Sequence, residues 1–181
     1  MPENECDCAQ CVALCERRPG WFAPGEAEKV AAYLGLSLED LFRRRLSVDY
    51  RTATKEEPRE IYVLSPAIEG KAGGYFPFAP FGRCTFLTVD GKCEIHAVKP
   101  IECRMASGCK DAHDEGLHAD LPRQWDHPEL QQQLVELAGG KHELDPLEAI
   151  GGFFALLDDT VASIGRKALK DGEKEDKEPN E

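Results

Sequence analysis

Eight cysteines stand in a chain of 181 residues, in two blocks: Cys6, Cys8, Cys11 and Cys15, then Cys84, Cys93, Cys103 and Cys109. Thiolates bind soft or borderline metals, so this set suits zinc, or iron as a single ion or in an iron–sulfur cluster. Cys8 and Cys11 have the two-residue spacing typical of structural zinc sites. Cys8, Cys11 and Cys15 are separated by three and then four positions, which places three thiols on one face of a helix from about residue 7 to about residue 17. Cys6 falls off that stripe. Eight thiols allow two four-thiolate sites, or one cluster with spare thiols. The candidate metal ligands are Cys8, Cys11, Cys15, Cys84, Cys93, Cys103 and Cys109.

Other side chains near the cysteines have more than one reading. His113 lies four residues after Cys109, a helical ligand spacing, but it is read as a solvated loop histidine. His96, near Cys93 in a strand-like stretch, is either a ligand or a group hydrogen-bonded to a thiolate. Arg104 follows Cys103 directly and is read as a donor that steadies a thiolate or pairs with a carboxylate, because four thiolates on one Zn²⁺ leave a charge of about −2. His118, His127 and His142 are read as surface or capping residues.

Composition narrows the partners. The net charge of −12 offers no electrostatic footprint for nucleic acid or an anionic membrane, so neither is an expected partner. The metal ion itself is the expected one. The N-terminal stretch is acidic and polar and lacks the basic and apolar regions of a secretory signal. A soluble cytoplasmic protein is therefore expected, with reduced thiols rather than disulfides.

The elements that must position the thiols are legible in part. Pro24 opens a helix running to about Leu34, with Val30, Ala31 and Leu34 apolar and Gly35 ending it. Ser37 caps a second helix to about Arg45, supported by a Leu36–Leu41 staple. Strands are expected at 48–51 and 61–64, then an irregular loop at 65–83 whose Tyr75, Phe76, Phe78 and Phe81 cover the core beside the metal. The dipeptide Asp90-Gly91 suggests a two-residue hairpin turn pairing Thr88 with Cys93. Cys84 would then lie roughly 13 Å from Cys93, whereas thiolates sharing one zinc stand about 4 Å apart. Either the turn is wider, or the two serve different metals. Lys99-Pro100 starts a turn or short helix leading to Cys103. Residues 111–127 read as loop, Asp126 as the cap of a helix from Pro128 to Ala138, and Asp145-Pro146 as the opening of a last amphipathic helix. The segment 166–181 reads as a charged disordered tail, leaving 1–165 as a single domain.

These spacings carry a resemblance. The run Cys8, Cys11, Cys15, then Cys84-Thr85-Phe86-Leu87, Cys93-Glu94-Ile95 and Pro100-Ile101-Glu102-Cys103-Arg104, resembles the YkgJ-type cysteine-cluster family, described as a zinc- or iron-chelating domain. The likeness spans about residues 6 to 109. Leu14 stands where that family usually has its third cysteine, His96 replaces a usual tyrosine, and Lys99 a usual arginine. The resemblance implies chelation by the matched cysteines and supplies no reaction.

The expected fold is mostly α with a small β element, a compact cysteine-cluster domain organised by its metal. The expected function is chelation of zinc or iron through clustered thiolates, in a structural or storage role. The alternative is an iron–sulfur redox or catalytic protein. A thiol–disulfide oxidoreductase is weaker still, because the C-x2-C lacks a βαβ context. No catalytic residue is assigned: the chain carries no dinucleotide or phosphate-loop fingerprint and no H-E-x-x-H, and spare ligands argue against an open metal position. A metal binder rather than an enzyme is the expectation.

Overall fold

The computed structural model describes residues 9–52, 59–77, 81–105 and 115–142. By internal packing the chain divides into Met1–Phe76 with Pro80–His142, and Pro77–Ala79 with Glu143–Glu181. Of the second unit only Pro77 is described. The expected helix from Asp145 and the tail from 166 lie outside the described residues, as do Cys6, Cys8, Cys109 and His113.

The described part is mostly α with a small β element, as the periodicity predicts. Helix α1 (Ala9–Cys15) is followed by α2 (Glu26–Leu34) and α3 (Leu38–Arg45), then β1 (Leu46–Thr52) and β2 (Glu60–Pro66), and finally α4 (Ile101–Met105), α5 (Glu115–Trp125) and α6 (Pro128–Leu137). The punctuation of α2 and α3 is local chemistry. Gly35 sits at φ 67°, and its N–H reaches back to the last turn of α2. Ser37 accepts the Asp40 N–H at 3.0 Å. Helix α2 starts at Glu26 rather than Pro24, because Gly25 takes a left-handed conformation at its N-cap.

The two strands pair antiparallel, Leu46 opposite Pro66 through Thr52 opposite Glu60, so both are longer than their apolar centres suggest. Residues 74–76 run alongside as a third, single-bridge strand: Val48 N–H donates to the Gly74 carbonyl, and Phe76 N–H to the Val48 carbonyl. The outer edge of β2 is also occupied. Phe22 N–H donates to the Leu64 carbonyl at 2.9 Å. The Gln131 side chain accepts from Tyr62 N–H and donates to its carbonyl, both at 2.9 Å, imitating another strand.

The core beneath is continuous, running through Phe22, Leu41, Phe42, Val48 and Val63 to Phe86 and Ile95. Helix α5 corrects the loop expected at 111–127. Pro122 lies inside it, yet Leu121 and Trp125, four residues apart, are both buried, and Trp125 Nε1 donates to the Phe22 carbonyl at 2.7 Å. Packing here outweighs a helix-interior proline cost of about 3 kcal/mol. Asp126 does not cap α6; it pairs with Arg59. Among the described residues no helix is long and apolar enough to cross a membrane.

Candidate metal centre

Four thiols come from three separate stretches of chain. Cys15 is the last residue of α1, and its carbonyl accepts the Cys84 N–H at 2.8 Å. Two residues on, the Arg17 carbonyl accepts the Gly82 N–H at 2.8 Å, so the end of α1 is bonded along the segment entering Cys84. Cys84 does not continue as a strand. Its carbonyl accepts the Leu87 N–H at 3.0 Å, so the chain curls through Thr85-Phe86. Leu87, not Thr88, then pairs with Cys93. The turn between them is wider than the Asp90-Gly91 dipeptide suggests: Thr88 N–H donates to the Lys92 carbonyl, with Gly91 at φ 78°. These two departures remove the separation that straight strands would impose and bring Cys84 back toward Cys93.

The Phe86 N–H favours the thiolate of Cys84, and the Ile95 N–H that of Cys93, each two residues on from its cysteine. Cys103 arrives on α4, a single short helix. Its sulfur accepts the Gly20 N–H at 3.3 Å. A Cβ on Gly20 would stand 3.0 Å from that sulfur and 3.0 Å from the Cys103 amide nitrogen, so a larger residue would have to push the Cys103 backbone or sulfur aside by a few tenths of an ångström.

The four thiols are within electrostatic reach of one another in every pairing. Cys15 feels Cys93; Cys84 feels Cys15 and Cys93; Cys103 feels all three. Burial is the larger cause and lifts every one of them, Cys84 to about 12 and Cys103 well above its ordinary value. Cys84 is 6% exposed, and Cys103 turns its sulfur inward although the residue is partly exposed. Four ionised thiols here would be buried like charges, and a divalent cation among them is the natural compensation. The donor set therefore fits a thiophilic metal. The four sulfurs do not converge on a single point: among the described residues, no three or more His, Cys, Asp or Glu side chains stand at a spacing that would hold an ion. Cys11 lies one turn before Cys15 on the same helix and is partly buried.

The cations nearby differ from the expected one. Lys99 favours the thiolates of Cys15 and Cys93, and Arg45 that of Cys84. Lys99 is held by His96, Nζ to Nε2 at 3.2 Å. His96 opens a 3-10 turn (His96–Val98) instead of lying in a strand. Arg45 covers the Phe86 ring at 4.7 Å and pairs with Glu94. Arg104, of the two roles read for it, takes the carboxylate: it bonds Glu26 at 2.6 Å and the Lys99 carbonyl at 2.7 Å.

The aromatic loop divides its labour. Phe76 is buried, Phe81 packs under the Arg17 guanidinium at 5.4 Å, and Tyr75 packs its ring against those of Tyr62 and His142. Phe78 lies outside the described residues. His142 is not a simple surface residue, since its ring also lies 4.2 Å from that of Tyr50. Glu26 is not among the residues that type and spacing single out. It is 7% exposed, and its only sequence signal is a carboxylate in the first turn of a helix. No family model, no curated protein and no solved structure matches this chain.

Proposed function

We propose that this protein binds zinc or iron through Cys15, Cys84, Cys93 and Cys103, with the metal organising the fold around it in a structural or storage role. One observation carries the reading: four thiols from segments 68 residues apart in sequence (16 to 83 between the blocks) lie within electrostatic reach of one another in every pairing. Burial opposes the ionisation of these thiols, and a metal bound among them would offset that cost and convert them into ligands. The reading also agrees with the resemblance to the YkgJ-type cysteine-cluster family, and it needs no catalytic residue. Cys8, Cys11 and Cys109 remain candidates for further ligands on the strength of their spacing.

A backbone N–H on a cysteine sulfur, as Gly20 gives Cys103, is of the kind that tunes iron–sulfur centres, so iron belongs in the same proposal as zinc. Metal analysis of protein purified anaerobically from its natural background separates them. At least one equivalent of zinc in a colourless protein is the expected structural result. Iron with acid-labile sulfide and a brown colour favours the cluster. Protein that carries neither metal, and takes up neither Zn²⁺ nor Co²⁺ after reduction, overturns the proposal. Cys84→Ser is expected to lower zinc affinity at least tenfold.

A further inference from the structure

A second cluster of aromatic and ionisable side chains stands on the strand pair, and the metal reading makes no use of it. Strand register builds it. Tyr50 on β1 is directly opposite Tyr62 on β2, and Thr52 is opposite Glu60. Residues two apart on a strand share a face, so Tyr50, Tyr62 and Glu60 lie on the same side of the pair. Tyr75 joins them from the segment bridged to Val48, two residues before Tyr50. Its ring packs against that of Tyr62 with centroids 5.4 Å apart. Tyr62 Oη donates to Glu60 Oε2 at 3.0 Å.

The chain fills the place where these groups meet. His142, just past the end of α6, sets its ring 4.2 Å from Tyr50 and 4.9 Å from Tyr75. Its Nδ1 stands 3.4 Å from Glu60 Oε1. Tyr75 Oη donates to the Gly140 carbonyl at 2.7 Å and so ties down the turn that delivers His142. The His142 side chain is 9% exposed and that of Glu60 40%, so the place is filled while its carboxylate stays open to solvent. The chemistry of the lining selects for positive charge. Tyrosine faces are electron-rich and attract a cation within about 6 Å of the ring centre, and both His142 distances lie inside that reach. Glu60 supplies the countercharge, and a chain of net charge −12 draws cations toward it.

We propose that Tyr50, Tyr62, Tyr75 and Glu60 form a binding box for a small organic cation of the imidazolium kind, and that His142 is its built-in occupant, which an incoming cation must displace. His142 thereby keeps the box closed: a group tethered beside its own site competes at an effective concentration in about the millimolar range. The inference is independent of the metal reading and of every cysteine.

The test titrates the full-length chain with dimethylimidazolium and follows the tyrosine and His142 rings by NMR. Dimethylpyrazole, the same shape without the charge, is the control. His142→Ala is expected to bind the cation saturably and on the order of tenfold more tightly than wild type, which must first give up its own ring. Glu60→Gln added to His142→Ala is expected to weaken the cation severalfold and to leave dimethylpyrazole unchanged. In wild type the His142 ring signals should move toward those of an exposed histidine as cation is added. That measurement needs no variant and decides alone if His142→Ala fails to fold: His142 signals that stay in place then overturn the inference. Equal affinity in wild type and His142→Ala overturns it too. So does a folded His142→Ala that binds no cation, that binds dimethylpyrazole as tightly, or that is indifferent to Glu60→Gln.

Discussion

The strand pair and the cysteine segments are built on opposite principles. Around β1 and β2 the protein's own groups supply the hydrogen bonds that the strand edge and the buried carboxylate need. Gln131 and Phe22 close the outer edge of β2, Trp21 Nε1 and Arg18 satisfy the buried Asp49 at 2.6 and 2.9 Å, and the apolar side chains beneath are fully enclosed. Residues 82–105 contain only a 3-10 turn and the five-residue α4, and they gather thiols whose ionisation burial opposes. One region is complete with its own groups. The other is a set of thiols whose ionisation an added cation would favour. Large stability and metal dependence should therefore separate in experiment, although the two regions share one core.

Three measurements would break or sharpen that contrast. The largest effect is expected from metal removal. Structural zinc contributes on the order of 10 kcal/mol in small peptides, comparable with the whole stability of a domain. A strong chelator is expected to lower the melting temperature by circular dichroism, and hydrogen exchange should rise most at 82–105 and least at the paired strand residues. An unchanged melting curve would sink the expectation. Uniform exchange across both regions would show that the contrast is false.

Next in size is the apolar region. Phe42 is 1% exposed in the core beneath β1. Phe42→Ala is expected to cost about 3–5 kcal/mol in denaturant unfolding. Its metal stoichiometry should stay that of wild type. A variant that lost its metal along with its stability would mean the centre depends on the core as a whole.

The smallest effect concerns pH in the metal-free protein. Burial lifts the Cys84 thiol from 9.0 to about 12. The unfolded chain therefore loses that proton first. The stability this contributes is whole below about 9 and is lost as pH rises from there toward about 12, at about 1.4 kcal/mol per unit for one thiol. Melting temperatures of chelated protein should fall from about pH 8 to about pH 11, and Cys84→Ser should fall less. With zinc bound the sign reverses, because the metal displaces the thiol protons and binding tightens as pH rises. Chelated wild type and Cys84→Ser with parallel pH profiles would refute the buried thiol.

The helices α2 and α3 were legible because their signals are local. A glycine that alone tolerates a left-handed turn, and a serine that caps the next amide but two, act within a few residues of themselves. The strands were legible as apolar runs but not to their ends, which pairing rather than composition extends. Helix α5 was not legible, since Pro122 speaks against it and only Trp125 and Leu121, buried against distant segments, speak for it.

At the cysteines, residue type and spacing were enough to suggest a chemistry, because a thiol's preference for soft metals belongs to the atom and not to the fold. They were also enough to show that straight strands could not bring Cys84 to Cys93. Which thiols meet was a question of long-range closure. The curl after Cys84, the wide turn at Gly91, the bare flank of Gly20 and the reach of Glu26 to Ile101 each depend on a hydrogen bond or contact whose partner no short window contains. Donor chemistry is inherited from each side chain alone. Donor geometry arises only where separated stretches of backbone are held against one another.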